Sequence, residues 1–378
     1  MRLCKYRGYV YMLNNSLFFI NEKPIMKYSY IFLFIFPFLL CCNKPKSITS
    51  QFSNSSKLYT DNTLAIEEVY IKMPQIYNLT DSTLIITALT INHSSDKYLI
   101  YIASKKTGKI IKRLGAEGRG PEEMISVSNI STLNNEILFY DSVGRKILHY
   151  NFSNDSVYFQ TIVSQKKFFL INLYLINDNK FISSGVFGKN MYIYGNIITG
   201  KGLYYLEYPF LPDVSKEKQK DLTLARHYAY IGGMIKHPDF PKFIYYSGLA
   251  EYLQIIELNR DTLKEVMHLS FAPPIGKVVY NVDAYVWATN SQLAHACFIR
   301  GTASNKYIYL LYSGKPIKEN DFIKSKYIFI FDWDGKAIKI LELDKEVYSI
   351  CVDEEDHEIY AYTTNDKTLK NEILHYTL

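Results

Sequence analysis

Residues 328–362 read IFIFDWDGKAIKILELDKEVYSICVDEEDHEIYAY, and the fold is decided by how this stretch is divided. Apolar and aromatic residues recur at a spacing of two rather than three to four, which is the period of a pleated strand with one buried face. The runs are cut by Asp334-Gly335, where glycine supplies the positive φ of a tight reversal, and by the acidic DEEDHE at 353–358. Strand, turn, strand, turn, strand is therefore the local plan, with no segment long enough at helical spacing to interrupt it.

The same unit recurs along the chain. Polar turns fall at NHSSDK (92–97) before YLIYIA, LNNE (133–136) before ILFYDS, NDNK (177–180) before FISSGV, HPDFPK (237–242) before FIYYSG, TASNK (302–306) before YIYLLYSG, and DEEDHE before IYAYTT. Repeats of roughly 40–65 residues that each carry three or four short strands are the signature of propeller blades with insertions. Six such turns predict an all-β, six-bladed β-propeller. Only three strands follow residue 345, and LAIEEVYIKM (64–73) has no partners of its own, so the ring is expected to be closed by this N-terminal strand in the last blade. Closure of that kind removes an open sheet edge.

Composition agrees with a strand-rich chain. The 378 residues include 34 Tyr and 22 Phe against 2 Trp, an excess suited to half-buried pleated surfaces. The formal charge of +6 is concentrated at the start: Arg2, Lys5, Arg7, Lys23 and Lys27 against Glu22 fall before residue 43, leaving 38 basic and 36 acidic residues. No basic stripe remains to neutralise a phosphate backbone, so no nucleic-acid partner is expected.

Residues 26–44, MKYSYIFLFIFPFLLCCNK, describe a signal peptide better than a membrane span, because the apolar run is short and ends in cysteine. Leu39-Leu40-Cys41-Cys42 resembles a bacterial lipobox, which makes Cys42 the expected lipidation site and first mature residue. The expected organisation is an upstream extension and lipoprotein signal peptide over 1–42 with the true start at Met26, a flexible tether over 43–60, and the propeller over 61–378. The expected partner of the N-terminus is thus a membrane, and the expected location is the bacterial cell envelope, lipid-anchored at the outer membrane and facing the periplasm or the surface. Cys297 and Cys351 sit in apolar runs and read as two buried thiols.

Chemical motifs are sparse. RLGAEGRGPEEM (113–124) lacks the G-x-x-x-x-G-K-[ST] of a phosphate loop and is followed by a strand-like run rather than a helix. DEEDHE lacks the alternating ligands and central glycine of a calcium loop. The eight histidines are scattered, no G-x-S-x-G is present, and there is no cysteine–histidine spacing for zinc, so neither a metal nor another cofactor is expected. Asp81-Ser82-Thr83, Asp141-Ser142-Val143, Asp155-Ser156-Val157 and Asp261-Thr262-Leu263 look like short O-glycan acceptor sites.

Taken together, LGAEGRGPEEM, RHYAYIGGMIKHPDFPKFIYYSG, NKYIYLLYSGKP and the stretch quoted first resemble the TolB-like six-bladed propellers found as lipoproteins in Bacteroides and its relatives. The resemblance covers residues 64–378 and implies fold and address more than activity. It places the glycine-rich 113–124 loop between an outer strand and the next inner strand, bringing Arg119, Glu122 and Glu123 to one mouth of the central channel. Connections of the same kind are expected to add Arg226, His227, Tyr228 and Tyr230, and Asp283, Tyr285 and Trp287. Converging charged and aromatic groups suit a protein, peptide or glycan partner, so the expected function is a non-catalytic binding or scaffold module. The alternative is a metal-dependent propeller hydrolase or lactonase, which requires carboxylates and histidines from several blades inside the channel.

Overall fold

The computed structural model describes residues 47–66, 74–88, 97–163, 169–281, 284–319 and 321–378. Cys42 and the rest of the leader therefore lie outside the described residues, as do Asp283 and most of the first turn, 92–97. The described residues, from Ser47 onward, form one compact unit.

Six sheets, each built on four antiparallel strands, are arranged as blades in a ring, and the fifth carries one further parallel strand at its outer edge. The innermost strands are β3 (Gln75–Thr80), β7 (Asn129–Leu133), β11 (Phe169–Leu175), β15 (Gly232–Lys236), β21 (Phe298–Ala303) and β25 (Ser349–Val352). Each is followed outward by three strands in chain order, except in the last blade, where β2 (Asn62–Ala65) lies antiparallel to the C-terminal β27 (Asn371–Thr377). The closing strand thus covers the start of the expected segment, and residues 67–73 lie outside the description. A hairpin of β19 (Gly276–Asn281) and β20 (Ala284–Thr289) is inserted between the fourth and fifth blades. Among the described residues there is one α-helix, α1 (Thr223–Ala229), which packs on β20.

Two differences from the sequence reading have simple causes. In five blades the marked turn joins the first and second strands, but YLIYIA is β5 (Tyr98–Ser104), the third strand of its blade. The first hairpin of that blade turns through Asp81-Ser82, too short and ordinary a dipeptide to stand out. The second difference is the 43–60 stretch expected as a tether. From Ile48 onward it is part of the propeller: Ile48 is fully buried, Phe52 meets Phe329 and Phe331 edge-on at 5.0 and 5.1 Å, and β1 (Ser55–Leu58) adds to the fifth blade as a parallel outer strand. Three apolar side chains scattered among serines, asparagines and lysines carry that docking, which is why composition alone reads as linker.

The core lies between neighbouring blades. One cluster joins Ile85, Tyr101 and Phe139 to Tyr362 and Ile373, sealing the first, second and sixth blades together; another joins Tyr192, Phe243, Tyr245 and Ile256 between the third and fourth. Each fully buried aromatic or aliphatic side chain contributes about 1.5–3 kcal/mol from area removed from water. Polar clamps fix the inner strands to one another. The Asn129 carboxamide both donates to the Leu173 carbonyl at 2.8 Å and accepts from the Leu173 N–H at 2.9 Å, the Tyr174 hydroxyl donates to the Met234 carbonyl, and Ile76 N–H donates to Ser349 Oγ at 3.1 Å. Cys297 and Cys351 are buried free thiols, and burial pushes both up to about 12.

Candidate functional site

The six inner strands do not fill the axis of the ring. They leave a channel of about 630 Å³ walled by residues of every blade, including Ile76, Ser131, Asn172, Gly233, Arg300 and Ser349. A channel persists here because several inner positions cannot carry a bulky side chain. A Cβ at Gly232 would fall 1.8 Å from the Tyr246 carbonyl oxygen, and one at Gly233 would fall 2.3 Å from the Tyr246 hydroxyl. Glycine at both positions lets the backbone of β15 approach the second strand of its blade and leaves the Tyr246 ring facing the axis.

The wall is mostly apolar, with Ile130, Ile235, Ile299, Phe298 and Phe322 among its members, interrupted by hydroxyl and amide groups. It holds two cations, Lys236 on β15 and Arg300 on β21, and no Asp, Glu or Cys among the described residues. Each cation stands beside a specific backbone feature. The pairing of β21 with its neighbour shifts between Phe298 and Arg300, so Ile299 is an extra residue in the ladder, and such a bulge re-aims the side chain that follows it. Lys236 ends its strand, where its ammonium donates to the carbonyls of His237 at 2.9 Å and Pro238 at 3.0 Å. Burial holds both groups below their ordinary pKa values, with Asp239 opposing the shift at Lys236 and the Tyr246 phenol opposing it at Arg300.

A second cavity adjoins the first through Tyr77, Thr132, Lys236 and Pro238, and lies among the first hairpin turns of the blades. Its wall includes Glu136, Asp239 and Glu354. One end of the axis is therefore acidic while the wall of the main channel is cationic.

None of the sequence-predicted residues that are described lines the channel. Arg119 and Glu122 are exposed, and Glu123 turns back so that its Oε2 accepts from Gly120 N–H at 2.7 Å. The carboxylate occupies the space a side chain at Gly118 would need, which makes the loop self-contained rather than a donor of groups to the mouth. Lys146 closes it further by donating to the Gly120 carbonyl at 2.6 Å.

The second predicted group is structural. Arg226 is 2% exposed; its guanidinium donates to the carbonyls of Tyr208 and Pro209, meets Glu207 at 3.3 Å and lies over the Phe210 ring. His227 is buried with Nδ1 at 2.8 Å from the Tyr208 hydroxyl, which itself donates to the Gly185 carbonyl at 2.9 Å. Tyr208 has one proton to give, so the pair is satisfied when neutral His227 donates from Nδ1. Burial lowers the His227 pKa to about 4. The Tyr230 hydroxyl donates to the Phe210 carbonyl at 3.1 Å. Tyr228 remains 42% exposed against His227.

In the third group Trp287 is buried in the core cluster shared by the third and fourth blades, its indole Nε1 without a partner, and Tyr285 is 45% exposed, edge-on to Tyr280 at 5.1 Å. Asp283 lies outside the described residues. The connection expected to carry Arg226 to Tyr230 is not open, because the helix α1 forms there and Leu222, Ala225 and Ala229 are buried. Of the glycan-like tripeptides, Ser82 is at an exposed turn and Ser156 at the exposed start of a strand, whereas Ser142 is tied to Ser128 Oγ at 2.5 Å beside the channel. Among the described residues no three His, Cys, Asp or Glu side chains converge as a metal-holding set.

Sequence reasoning missed Arg300 and Lys236. Both were visible as single cations within otherwise apolar inner-strand runs, YIGGMIK and CFIRGTA, which is the one signal that could have singled them out.

The sequence model of the TolB-like six-blade propeller-like proteins matches residues 51–355. Among solved structures, a member of the DUF4221 family from Bacteroides vulgatus ATCC 8482 superposes with a TM-score of 0.51 at 9% identity, covering 85% of this chain and 97% of that one. A protein described as exported, from Bacteroides fragilis NCTC 9343, superposes with a TM-score of 0.51 at 14% identity, covering 86% and 98%. At such identities the likeness concerns the fold alone. No curated protein matches the sequence.

Proposed function

The chain belongs to the TolB-like six-bladed propeller family, and from that premise we propose that it is a non-catalytic binding module, lipid-anchored outside the cytoplasm through Cys42, that takes a peptide or glycan into its central channel. The observation that carries the reading is the open channel of about 630 Å³ between six inner strands, five of them clamped to a neighbour by side-chain hydrogen bonds. A rigid, preformed cavity of this size with a few polar groups on an apolar wall suits ligand capture at little reorganisation cost. Export is supported by the apolar run before Cys42 and by the likeness to a Bacteroides fragilis protein described as exported. The hydrolase alternative is less well supported, since the described channel wall offers His237 as its one histidine and no carboxylate.

The test uses the full mature protein in detergent, passed over arrays of peptides and of oligosaccharides beside a Thr302→Trp variant, whose indole would obstruct the channel. Retention that Thr302→Trp abolishes is the expected result. Retention that the variant leaves unchanged moves the site elsewhere, and no retention on either array sinks the reading. Mass analysis of the membrane-extracted protein should find a lipidated Cys42 at its N-terminus; an unmodified Met1 would remove the anchor.

A further inference from the structure

The geometry points to a specific occupant of the channel: the free carboxyl terminus of an apolar peptide, its carboxylate held by Arg300 with Lys236 as the second cation. The inference rests on the channel being the binding site.

The guanidinium of Arg300 is the least compensated charge in the wall. Nη1 donates to the Ile299 carbonyl of its own strand at 2.8 Å, and Nε is sealed from water without a partner. Among the described residues no carboxylate lies within ion-pair distance of it. An arginine stays protonated across the physiological range, so this is a standing positive charge in a low-dielectric wall, a costly arrangement unless an anion completes it. Lys236 adds to the field from the neighbouring inner strand, two of its three N–H groups committed to carbonyls. The bulge at Ile299 shows that the strand departs from regular pairing where it presents this side chain.

The chemistry of the anion follows from what is left free. With Nε sealed and an Nη1 N–H committed, the guanidinium meets the channel through Nη2, whose N–H groups suit an anionic oxygen such as that of a carboxylate. The body attached to it must tolerate Ile76, Ile130, Ile235, Phe298 and Phe322. A glycan would strand hydroxyls against those side chains, at a cost for each unpaired group. An apolar peptide end presents hydrocarbon to them and keeps its few backbone groups for hydroxyls such as those of Ser131 and Thr302. The acidic turns around the second cavity, Glu136, Asp239 and Glu354, would repel a carboxylate there, so the carboxylate belongs in the cationic stretch of the channel.

The experiment is equilibrium dialysis of the full mature protein against a pool of hexapeptides of Ala, Val, Leu and Phe with free carboxyl termini, the same pool amidated, and a pool of uronic-acid oligosaccharides. Retention of the free-acid pool should exceed that of the amidated pool by about tenfold or more, the fold-change expected of one charge-assisted hydrogen bond. Arg300→Gln should reduce it to the amidated level. Equal retention of free and amidated peptides, both abolished by Thr302→Trp, would overturn the carboxylate and leave the channel as the binding site. Preferential retention of the uronate pool, or no retention of any peptide, would overturn the peptide. The comparison of free and amidated pools on the unaltered protein needs no variant, so it stands even where Arg300→Gln fails to fold.

Discussion

The backbone N–H of Ile48 donates to the buried carboxylate of Glu251 at 2.9 Å, joining positions 203 residues apart. The other oxygen of the same carboxylate accepts from the Tyr312 hydroxyl at 2.9 Å, so one side chain of the fourth blade holds both the N-terminal segment and the fifth blade. Glu251→Ala strands two donors, and a loss of about 1–3 kcal/mol is expected for each. Urea unfolding measures the loss, and limited proteolysis between residues 48 and 58 should become faster in the variant than in the native protein. Equal cleavage rates would mean that the segment is not held by this contact.

The His227 site predicts an acid-sensitive slope. Its pKa is about 4 in the folded protein against an ordinary 6.5, because protonation would place a charge in a buried pocket. Between these values the unfolded chain binds more protons than the folded one, so stability falls as pH falls. The stabilisation is complete above pH 6.5 and is lost down to pH 4, to an extent of about 3 kcal/mol. Comparing urea midpoints of native protein and His227→Gln from pH 7.5 to 4 isolates the effect: the native curve should be steeper, and parallel curves would refute it.

Arg226 and Trp287 were expected to serve a ligand, and the structure turns both into stability predictions. Arg226→Ala leaves the carbonyls of Tyr208 and Pro209 without their donor, at about 1–3 kcal/mol each. Trp287→Ala empties a core position, with a cost of about 3–5 kcal/mol. Trp287→Phe removes an indole N–H that has no partner and should change stability by less than about 1.5 kcal/mol. Thermal unfolding of the three variants gives the ranking, and a Trp287→Phe as damaging as the alanine would contradict the contacts described.

Arg300 predicts the opposite sign. Arg300→Met deletes an unpaired guanidinium while keeping its apolar stem, so the protein should gain about 1 kcal/mol or more of stability in the absence of ligand, the penalty of a buried donor without a partner. Chemical denaturation of the ligand-free protein would show it. A destabilised Arg300→Met would mean that the charge is already compensated.

Much of the fold was legible because a strand declares itself locally. A period of two, hairpin signals such as Asn134-Asn135, both at positive φ, and Asp334-Gly335 can be read residue by residue. Only the first blade, with its two-residue Asp81-Ser82 turn, gave too weak a local signal to be placed correctly. The candidate site was not legible in the same way. Arg226 in a loop-like stretch and Arg300 in a strand look equally available in the sequence, yet one is enclosed by carbonyls and the other faces an open channel.

By itself, the sequence determined the all-β class, the six-blade count, the closing strand near Leu64 and the two buried thiols, since these depend on periodicity, turn chemistry and hydrophobicity along short windows. Only the tertiary structure decided that residues from Ile48 are docked rather than a tether, that the glycine-rich loop at 113–124 satisfies its own backbone, and that the uncompensated charge in the wall belongs to Arg300. Docking, satisfaction and compensation depend on groups brought together from distant blades, and ring closure sets those neighbours in a way that no local stretch records.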